Sequence, residues 1–326
     1  MRRFHRFAWF VLAYTLGVIL WGAYVRATGS GAGCGEHWPA CNGVVIPRAP
    51  TTATVIEFTH RLTSGLALAF TVVLFFWGRR LYPAGHPVRR GVSLSLTFMI
   101  TEALVGAGLV LFALVAKDAS LARALGMSVH LVNTFLLVGA LTLTTRWAAG
   151  AERLRFKRQG GVLWLLAAST LGILVLGISG AIAALGDTLF PAASVAEGIA
   201  QDLSPTAHVL LRLRVLHPVL AVGVGALVVA GGLAVARARP SRRVRHAARG
   251  LAGVYGLQLV AGFANVLLLA PVWMQLIHLL LADVVWILFV RLCAGALALS
   301  APRLALRWDE PEPSAALAQP ETPRHQ

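Results

Sequence analysis

The sequence predicts an all-α integral membrane protein whose eight transmembrane helices form two four-helix bundles related by a pseudo-twofold axis. Three observations lead to this fold class. The chain is 57% hydrophobic and only 13% charged, whereas a soluble domain carries about 25% charged residues. It contains eight apolar runs of about 20 residues, the length that crosses a bilayer as a helix. The last four runs also repeat features of the first four. No stretch is left for a large soluble domain.

The eight predicted spans occupy most of the chain. They lie near 7–25, 55–77, 92–115, 124–146, 161–184, 208–236, 250–270 and 273–297. We interpret the first as a span rather than a cleaved signal peptide, because it is long enough to cross and no small-residue cleavage site follows it.

Two long loops and a tail connect or follow these spans. Residues 26–54 form a loop rich in glycine, cysteine and proline, and residues 185–207 form a second loop. Ser204 and Pro205 are expected to cap and open the sixth span. The polar, proline-containing tail from Asp309 onward is predicted to be disordered.

The basic residues predict the orientation of the chain. The net charge is +16, and 21 of the 29 basic residues fall on one side of the membrane if both termini are cytoplasmic. This bias follows the positive-inside rule and also favours contact with anionic lipid. Nucleic acid is therefore not an expected partner. The Ala/Arg/Gly-rich composition without a transit peptide is typical of a bacterial inner membrane.

The two halves of the chain share a pattern that indicates duplication of a four-helix unit. Glu102 and Gly106 in the third run recur as Gln258 and Gly262 in the seventh, and a Leu-Gly pair with a following glycine recurs between the first and fifth runs (Leu16, Gly17, Gly22; Leu171, Gly172, Gly177). We therefore divide the chain into an N-terminal bundle at 1–150, a C-terminal bundle at 151–300 and a tail at 301–326.

Four histidines stand near the start of the even-numbered runs: His60, His130, His217 and His278. Because the even runs cross in the same direction, these imidazoles should lie at one depth near the outer face. A single buried histidine is more often a hydrogen-bonded interior group. Two matched pairs on separate helices favour axial ligation of two haem irons, whereas zinc prefers a compact tetrahedral cluster.

The residues one helical turn before the histidines differ between the halves. Glu57 precedes His60 by three residues, and Arg214 precedes His217 by three. An arginine is suited to pair with haem propionates, and a carboxylate is suited to proton transfer or to steering charge. A simple ion pair of Glu57 with Arg61 or Arg26 is the alternative. The asymmetry predicts one half that holds a cofactor and one that carries out chemistry.

Other polar residues in or near the spans have structural interpretations. Glu102 and Asp283 are expected to form hydrogen bonds between helices, and His37 and His208 to be solvated. Cys34 and Cys41, seven residues apart in the first outer loop, can close a disulfide in an oxidising compartment. Two unrelated thiols are the alternative.

Five segments together resemble the haem A synthase family. They are GSGAGCGEHWPACNG at 29–43, EFTHR at 57–61, His130, RVLHP at 214–218 and His278. The resemblance covers residues 7–297, and the cysteine loop combined with E-x-x-H-R is its most specific part.

The resemblance implies an oxidoreductase that converts the C8 methyl group of haem O to the formyl group of haem A through hydroxylated intermediates, supplying cytochrome oxidase. It implies a haem b cofactor bound by His217 and His278, and a substrate haem whose iron is bound by His60 and His130. Glu57 would be the essential carboxylate, and Cys34 and Cys41 match a cysteine pair found in part of the family. Haem O synthase and cytochrome oxidase assembly factors are the expected protein partners.

Two other functions share some of these features. A non-enzymatic bis-histidine cytochrome for electron transfer would use the same histidines but would not need Glu57 or the cysteine loop. A purely transmembrane electron path would also prefer haems at two depths. A proton or solute transporter would use intramembrane histidine and glutamate but would bind no haem.

Overall fold

The computed structural model describes residues 1–298, and this part of the chain is helical. Within it there is no strand, only an isolated bridge between Cys41 and Val44. The predicted disordered tail at 301–326 lies outside the described residues. The helices are Arg2–Ala27 (α1), Thr52–Leu81 (α2), Pro87–Leu111 (α3), Leu121–Ala148 (α4), Gly161–Leu189 (α5), Val195–Leu203 (α6), Val209–Arg214 (α7), Leu216–Ala238 (α8), Arg242–Leu267 (α9) and Val272–Ala298 (α10).

The all-α fold class and all eight predicted spans are confirmed. Eight helical segments between residues 1 and 298 are long and apolar enough to cross a membrane. Large apolar side chains are exposed on the outward faces of these helices, among them Leu171, Val222 and Phe263. Such exposed apolar surface suits contact with lipid.

The sixth span is interrupted one turn before its proline. Helix α7 ends at Arg214, and α8 begins at Leu216. Pro218 has no backbone N–H to donate to the carbonyl of Arg214, and its ring crowds that carbonyl. The proline therefore accounts for the break beside Arg214.

Helix ends differ from the predicted ones at several places, and two of these differences have a clear local cause. Helix α9 begins at Arg242 rather than 250, because Ser241 caps it and the basic residues that follow continue the helix beyond its apolar part. The predicted cap at Ser204 is wrong. Ser204 ends α6, a turn follows, and the imidazole of His208 caps α7 by accepting the N–H of Leu210 at 3.3 Å.

The long helices pack in two groups that follow the chain order. In the first group α1 contacts α2, α2 contacts α3, α3 contacts α4, and α4 returns to α1. In the second group α5 contacts α8, α8 contacts α9, α9 contacts α10, and α10 returns to α5. The internal duplication, its pseudo-twofold axis and the cytoplasmic position of the termini stay predictions.

The two groups meet through α1 and α4 on one side and α5 and α10 on the other. Trp286 of α10 stacks on Phe135 of α4 with ring centroids 5.3 Å apart, and its indole N–H donates to the Phe135 carbonyl at 2.6 Å. In the last turn of α1, Arg26 donates to the carbonyl of Ala184 and to Gln275, each at 2.7 Å. The groups are thus joined by an apolar contact and by a partly buried arginine.

Candidate functional site

The four predicted histidines each lie against a glycine of a neighbouring helix. A Cβ atom added to these glycines would come within 2.9–3.4 Å of an imidazole atom: Gly22 at His60, Gly106 at His130, Gly180 at His217 and Gly262 at His278. The imidazoles therefore occupy notches in the surfaces of the adjacent helices. The repeat in the sequence includes Gly22, Gly106 and Gly262 but not Gly180, and it gives no sign of this role. The four contacts indicate that these glycines leave space for the imidazole rings.

These contacts also refine the comparison of the halves. Gly106 and Gly262 are equivalent in contact as well as in sequence. The contact equivalent of Gly22, however, is Gly180, because Gly177 faces Leu131 and Phe135 instead.

The C-terminal histidine pair is close. The ring centroids of His217 and His278 are 6.3 Å apart, and the ring planes are nearly perpendicular at 87°. A metal–nitrogen bond of about 2 Å on each side, plus the size of two imidazoles, gives a similar separation. The Nδ1 atom of His278 is buried and has no hydrogen-bond partner in the described part of the chain. Both observations fit a pair of axial ligands.

Neutral polar side chains contact this pair. The Ser179 hydroxyl lies 3.0 Å from Nδ1 of His217, and the Gln258 amide nitrogen lies 3.3 Å from Nε2 of His278. A contact that holds one ring nitrogen of His217 leaves the other for a metal.

Arg214 forms ion pairs with two acidic residues that sequence analysis did not single out. Its guanidinium donates to Asp187 of α5 at 2.8 Å and to Asp202 of α6 at 2.6 and 3.0 Å. These contacts engage three of the five N–H groups of an arginine. The carboxylates therefore fix the direction of Arg214 and leave two donors for another anion.

The N-terminal pair has a charged neighbour. A carboxylate oxygen of Glu102 lies 2.9 Å from Nδ1 of His130, although the N–H direction is not aligned for a full hydrogen bond. Glu102 also accepts from the hydroxyl of Thr134 and the amide of Asn133. The predicted interhelical hydrogen bonding of Glu102 is confirmed. Nδ1 of His60 is buried without a partner among residues 1–298.

Glu57 is buried and holds the loop of residues 26–54. Its carboxylate accepts the backbone N–H of Cys34 at 2.8 Å and the Nε–H of Arg61 at 3.2 Å. Arg61 in turn donates to the carbonyls of His37 and Ala40, both at 2.6 Å. The ion pair with Arg61, which the sequence left open as an alternative, is present. The ion pair with Arg26 is absent from the described contacts.

The cysteine loop is fixed to the start of α2. Cys34 and Cys41 form a disulfide and are fully buried. The Thr54 hydroxyl donates to the carbonyl of Gly33 at 2.8 Å. A Cβ on Gly33 would lie 2.4 Å from the backbone of Ala53, so only glycine permits this approach. The disulfide, Gly33 and Glu57 together place the loop against the helix that carries His60.

Asp283 differs from its expected role. It is fully buried, and neither carboxyl oxygen has a hydrogen-bond partner within the described residues. The predicted interhelical hydrogen bond of Asp283 is therefore wrong. Its location on α10, away from any donor on the neighbouring helices, could not be deduced from its position in the sequence.

Comparison with known proteins gives a consistent family. Residues 5–290 match the model of the COX15-CtaA family, described as cytochrome oxidase assembly protein. The Heme A synthase of Lysinibacillus sphaericus is 41% identical over 107 residues, which cover 32% of this chain and 35% of that protein. The Heme A synthase of Geobacillus kaustophilus is 37% identical over 138 residues, covering 41% and 42%.

Longer relatives carry a different name. Two Thermus thermophilus strains have proteins named Protoheme IX farnesyltransferase that are 55% identical over 300 residues, 92% of this chain but 49% of theirs. The chain thus spans about half the length of these relatives. Because the family model matches nearly all of the described helices, this multi-pass membrane protein belongs to the haem A synthase family of cytochrome oxidase assembly proteins.

Proposed function

We propose that this protein is a haem A synthase, which oxidises the C8 methyl group of haem O to a formyl group through hydroxylated intermediates. The observation that carries the proposal is the presence of two histidine pairs with different surroundings in a chain of this family. His217 and His278 have neutral neighbours in contact. His130 has a carboxylate, and His60 lies on the helix that holds the cysteine loop. A cytochrome for electron transfer alone does not need this asymmetry.

The C-terminal half is proposed to hold haem b, with His217 and His278 as its axial ligands. The 6.3 Å separation and the free Nδ1 of His278 support this assignment. Haem b supplies one-electron redox chemistry when it is bound. Arg214, held by Asp187 and Asp202, would direct its two remaining N–H groups to a propionate.

The N-terminal half is proposed to bind haem O, with His60 and His130 on its iron. Glu57 is the proposed essential carboxylate. Its contacts suggest how it serves the reaction, because it connects the backbone of Cys34 to the turn of α2 that precedes His60. A carboxylate held at this point fixes the loop beside the proposed substrate half.

The surroundings of the site suit an apolar substrate. Haem O carries a farnesyl tail, and the helices of the N-terminal half expose apolar side chains such as Leu66 and Leu104 to lipid. We place the protein in a bacterial inner membrane with its histidines near the outer face. Haem O synthase and cytochrome oxidase assembly factors are the proposed partners. The name of the Thermus relatives supports the first of these, because it describes farnesyl transfer to protohaem.

The test is expression of the full chain in membranes that contain haem O, followed by extraction, chromatography and mass measurement of the haems. We expect haem A or its hydroxylated precursor. A protein that retains haem b and leaves haem O unchanged would instead be the bis-histidine cytochrome, and one without a Soret band would support a transporter. The double variant His60→Ala, His130→Ala is the control for background oxidation.

Farnesyl transfer is the second candidate, favoured by the 55% identity to the Thermus proteins. Because that match leaves about half of each relative uncovered, the transferase activity can belong to the other half. The same membranes, supplied with protohaem and farnesyl diphosphate but no haem O, decide the point. Formation of haem O by this chain alone would favour the transferase over the synthase.

A further inference from the structure

The two halves differ in the group that contacts the fourth-helix histidine. In the N-terminal half, Glu102 of α3 lies 2.9 Å from His130. In the C-terminal half, the neutral amide nitrogen of Gln258 of α9 lies 3.3 Å from Nε2 of His278, whereas Glu102 lies beside Nδ1 of His130. The two positions are equivalent. Glu102 is four residues before Gly106, which faces His130, and Gln258 is four residues before Gly262, which faces His278. One site therefore has a carboxylate where the other has an uncharged side chain.

The carboxylate of Glu102 is held in place by donors on α4. The Thr134 hydroxyl donates to one oxygen and the Asn133 amide to the other. Asn133 is itself fixed, because it donates to the carbonyl of Phe98 at 2.9 Å and accepts from the Thr101 hydroxyl at 2.6 Å. This network leaves the Oε1 atom beside the imidazole. Such a fixed acceptor is suited to orient a ring rather than merely to join two helices.

A metal-binding histidine usually donates its other ring N–H to a nearby acceptor. A carboxylate in that place sets which nitrogen carries the proton, fixes the ring and makes the imidazole a stronger electron donor. A stronger donor and a nearby negative charge both stabilise ferric iron over ferrous iron. The amide of Gln258 has no net charge, and it lies beside Nε2 of His278 rather than Nδ1, so it does not act on His278 in this way.

We propose that Glu102 is a positioning residue for His130, which directs the Nε2 atom of that imidazole to iron and lowers the reduction potential of the haem in the N-terminal half relative to the C-terminal half. The inference rests on the proposed function, because it takes His130 to be a haem ligand. It assigns the difference in reduction potential between the two haem sites to Glu102 and Gln258.

The test exchanges the two side chains in the full-length protein. Glu102→Gln and Gln258→Glu keep the size of each group and reverse the charge pattern. Iron protoporphyrin IX is the probe. The N-terminal site is read in a background of His217→Ala and His278→Ala, and the C-terminal site in a background of His60→Ala and His130→Ala. Midpoint potentials are measured by redox titration of the Soret band, and the ligand field by electron paramagnetic resonance.

Glu102→Gln is expected to raise the N-terminal potential, and Gln258→Glu to lower the C-terminal potential. Loss of such a partner commonly weakens metal binding by about 10- to 100-fold. A tenfold change in ferric over ferrous preference is about 59 mV for one electron. A loss of stability would not shift the two midpoint potentials in opposite directions. If Glu102→Gln folds poorly, the potential of Gln258→Glu still tests the inference.

Asp118→Asn is the matched control for charge. Its carboxylate lies in the loop between α3 and α4 and contacts Ser120. Equal shifts in Asp118→Asn and Glu102→Gln, or unchanged potentials in both exchange variants, would overturn the inference while leaving haem binding intact. Failure of the N-terminal site to bind the probe with Glu102 unaltered would overturn the proposed function itself.

Discussion

At the scale of single residues, the site depends on the glycines beside the histidines as much as on the histidines themselves. Each imidazole occupies space left by a glycine on an adjacent helix. The histidines could be predicted from the sequence because they are rare ionisable groups at matched places in apolar runs. The glycine notches could not be predicted, because the sequence does not show whether a glycine in a membrane helix faces lipid, another helix or an imidazole ring.

Gly262→Ala is expected to impair haem b binding. The added Cβ would lie 3.0 Å from Cε1 of His278, so the ring or helix α9 must move. Overpacking of this kind costs about 1–3 kcal/mol. Haem b retained through purification, measured by its absorption per protein, should fall.

Gly256→Ala on the same helix is the control, because a Cβ there meets no atom within 4 Å. It should retain haem b as fully as the parent. Equal haem loss in both variants would show that helix α9 is sensitive to any substitution, and would remove the special role of the notch.

Glu57→Gln is expected to abolish haem A formation and to retain haem b. The amide can still accept the Cys34 N–H, but the charged pair with Arg61 is lost. Loss of a hydrogen bond to a charged group costs roughly 1.5–3 kcal/mol, and this loss is confined to the N-terminal half. Extracted haems and the Soret band of the purified variant report the two outcomes separately. Normal turnover would contradict the assignment of Glu57. His217→Ala, in contrast, should lose haem b.

At the scale of elements, the spans could be predicted and their ends could not. Apolar runs identify the part of a helix that crosses lipid, and all eight were found in this way. Helix α9 continues into a basic segment, because Ser241 caps it and the exposed arginines remain solvated. The break before α8 follows from Pro218, whose effect at Arg214 is visible in the sequence once the span is known to be helical. The contacts that hold the cysteine loop on α2 depend on distant residues and were not predictable.

The position of the cysteine loop depends on the branched guanidinium group of Arg61. One of its nitrogen atoms reaches both the His37 and the Ala40 carbonyls while the others face Glu57. A lysine has a single ammonium group and cannot reproduce this geometry. Arg61→Lys should therefore loosen the loop, and a loss of about 1 kcal/mol corresponds to roughly fivefold more opening.

Limited proteolysis of the loop in detergent measures this change. The rate of cleavage between residues 35 and 50 should rise several-fold for Arg61→Lys. Arg48→Lys, at an exposed position in the same loop, keeps the charge and should leave the rate unchanged. Equal rates for the parent and Arg61→Lys would mean that the disulfide and Gly33 are sufficient to hold the loop.

At the scale of the whole molecule, two chemically different histidine sites are held in one frame. The halves share an apolar contact between Phe135 and Trp286 and a polar connection at Arg26, in the last turn of α1. Haem sites that exchange electrons must keep a fixed separation, and the reaction proposed for this protein uses both sites. The contacts between the halves are therefore part of the proposed function.

Arg26→Met is expected to weaken the association of the halves. The arginine donates to Ala184 and Thr188 of α5 and to Gln275 of α10, all at 2.7 Å, and methionine keeps much of its length without a donor. Arg123→Met is the matched control, because Arg123 also donates to carbonyls, but to those of its own half, at Ala116 and Asp118.

The measurement uses a protease site introduced in the exposed connection between Glu152 and Lys157. After cleavage in detergent, the parent halves should copurify. The Arg26→Met halves should separate more readily and lose haem A formation before they lose haem b, because His217 and His278 belong to one half. The Arg123→Met protein should unfold at a lower temperature without separating. Copurification of the Arg26→Met halves at the parent level would assign the connection to the apolar contact instead.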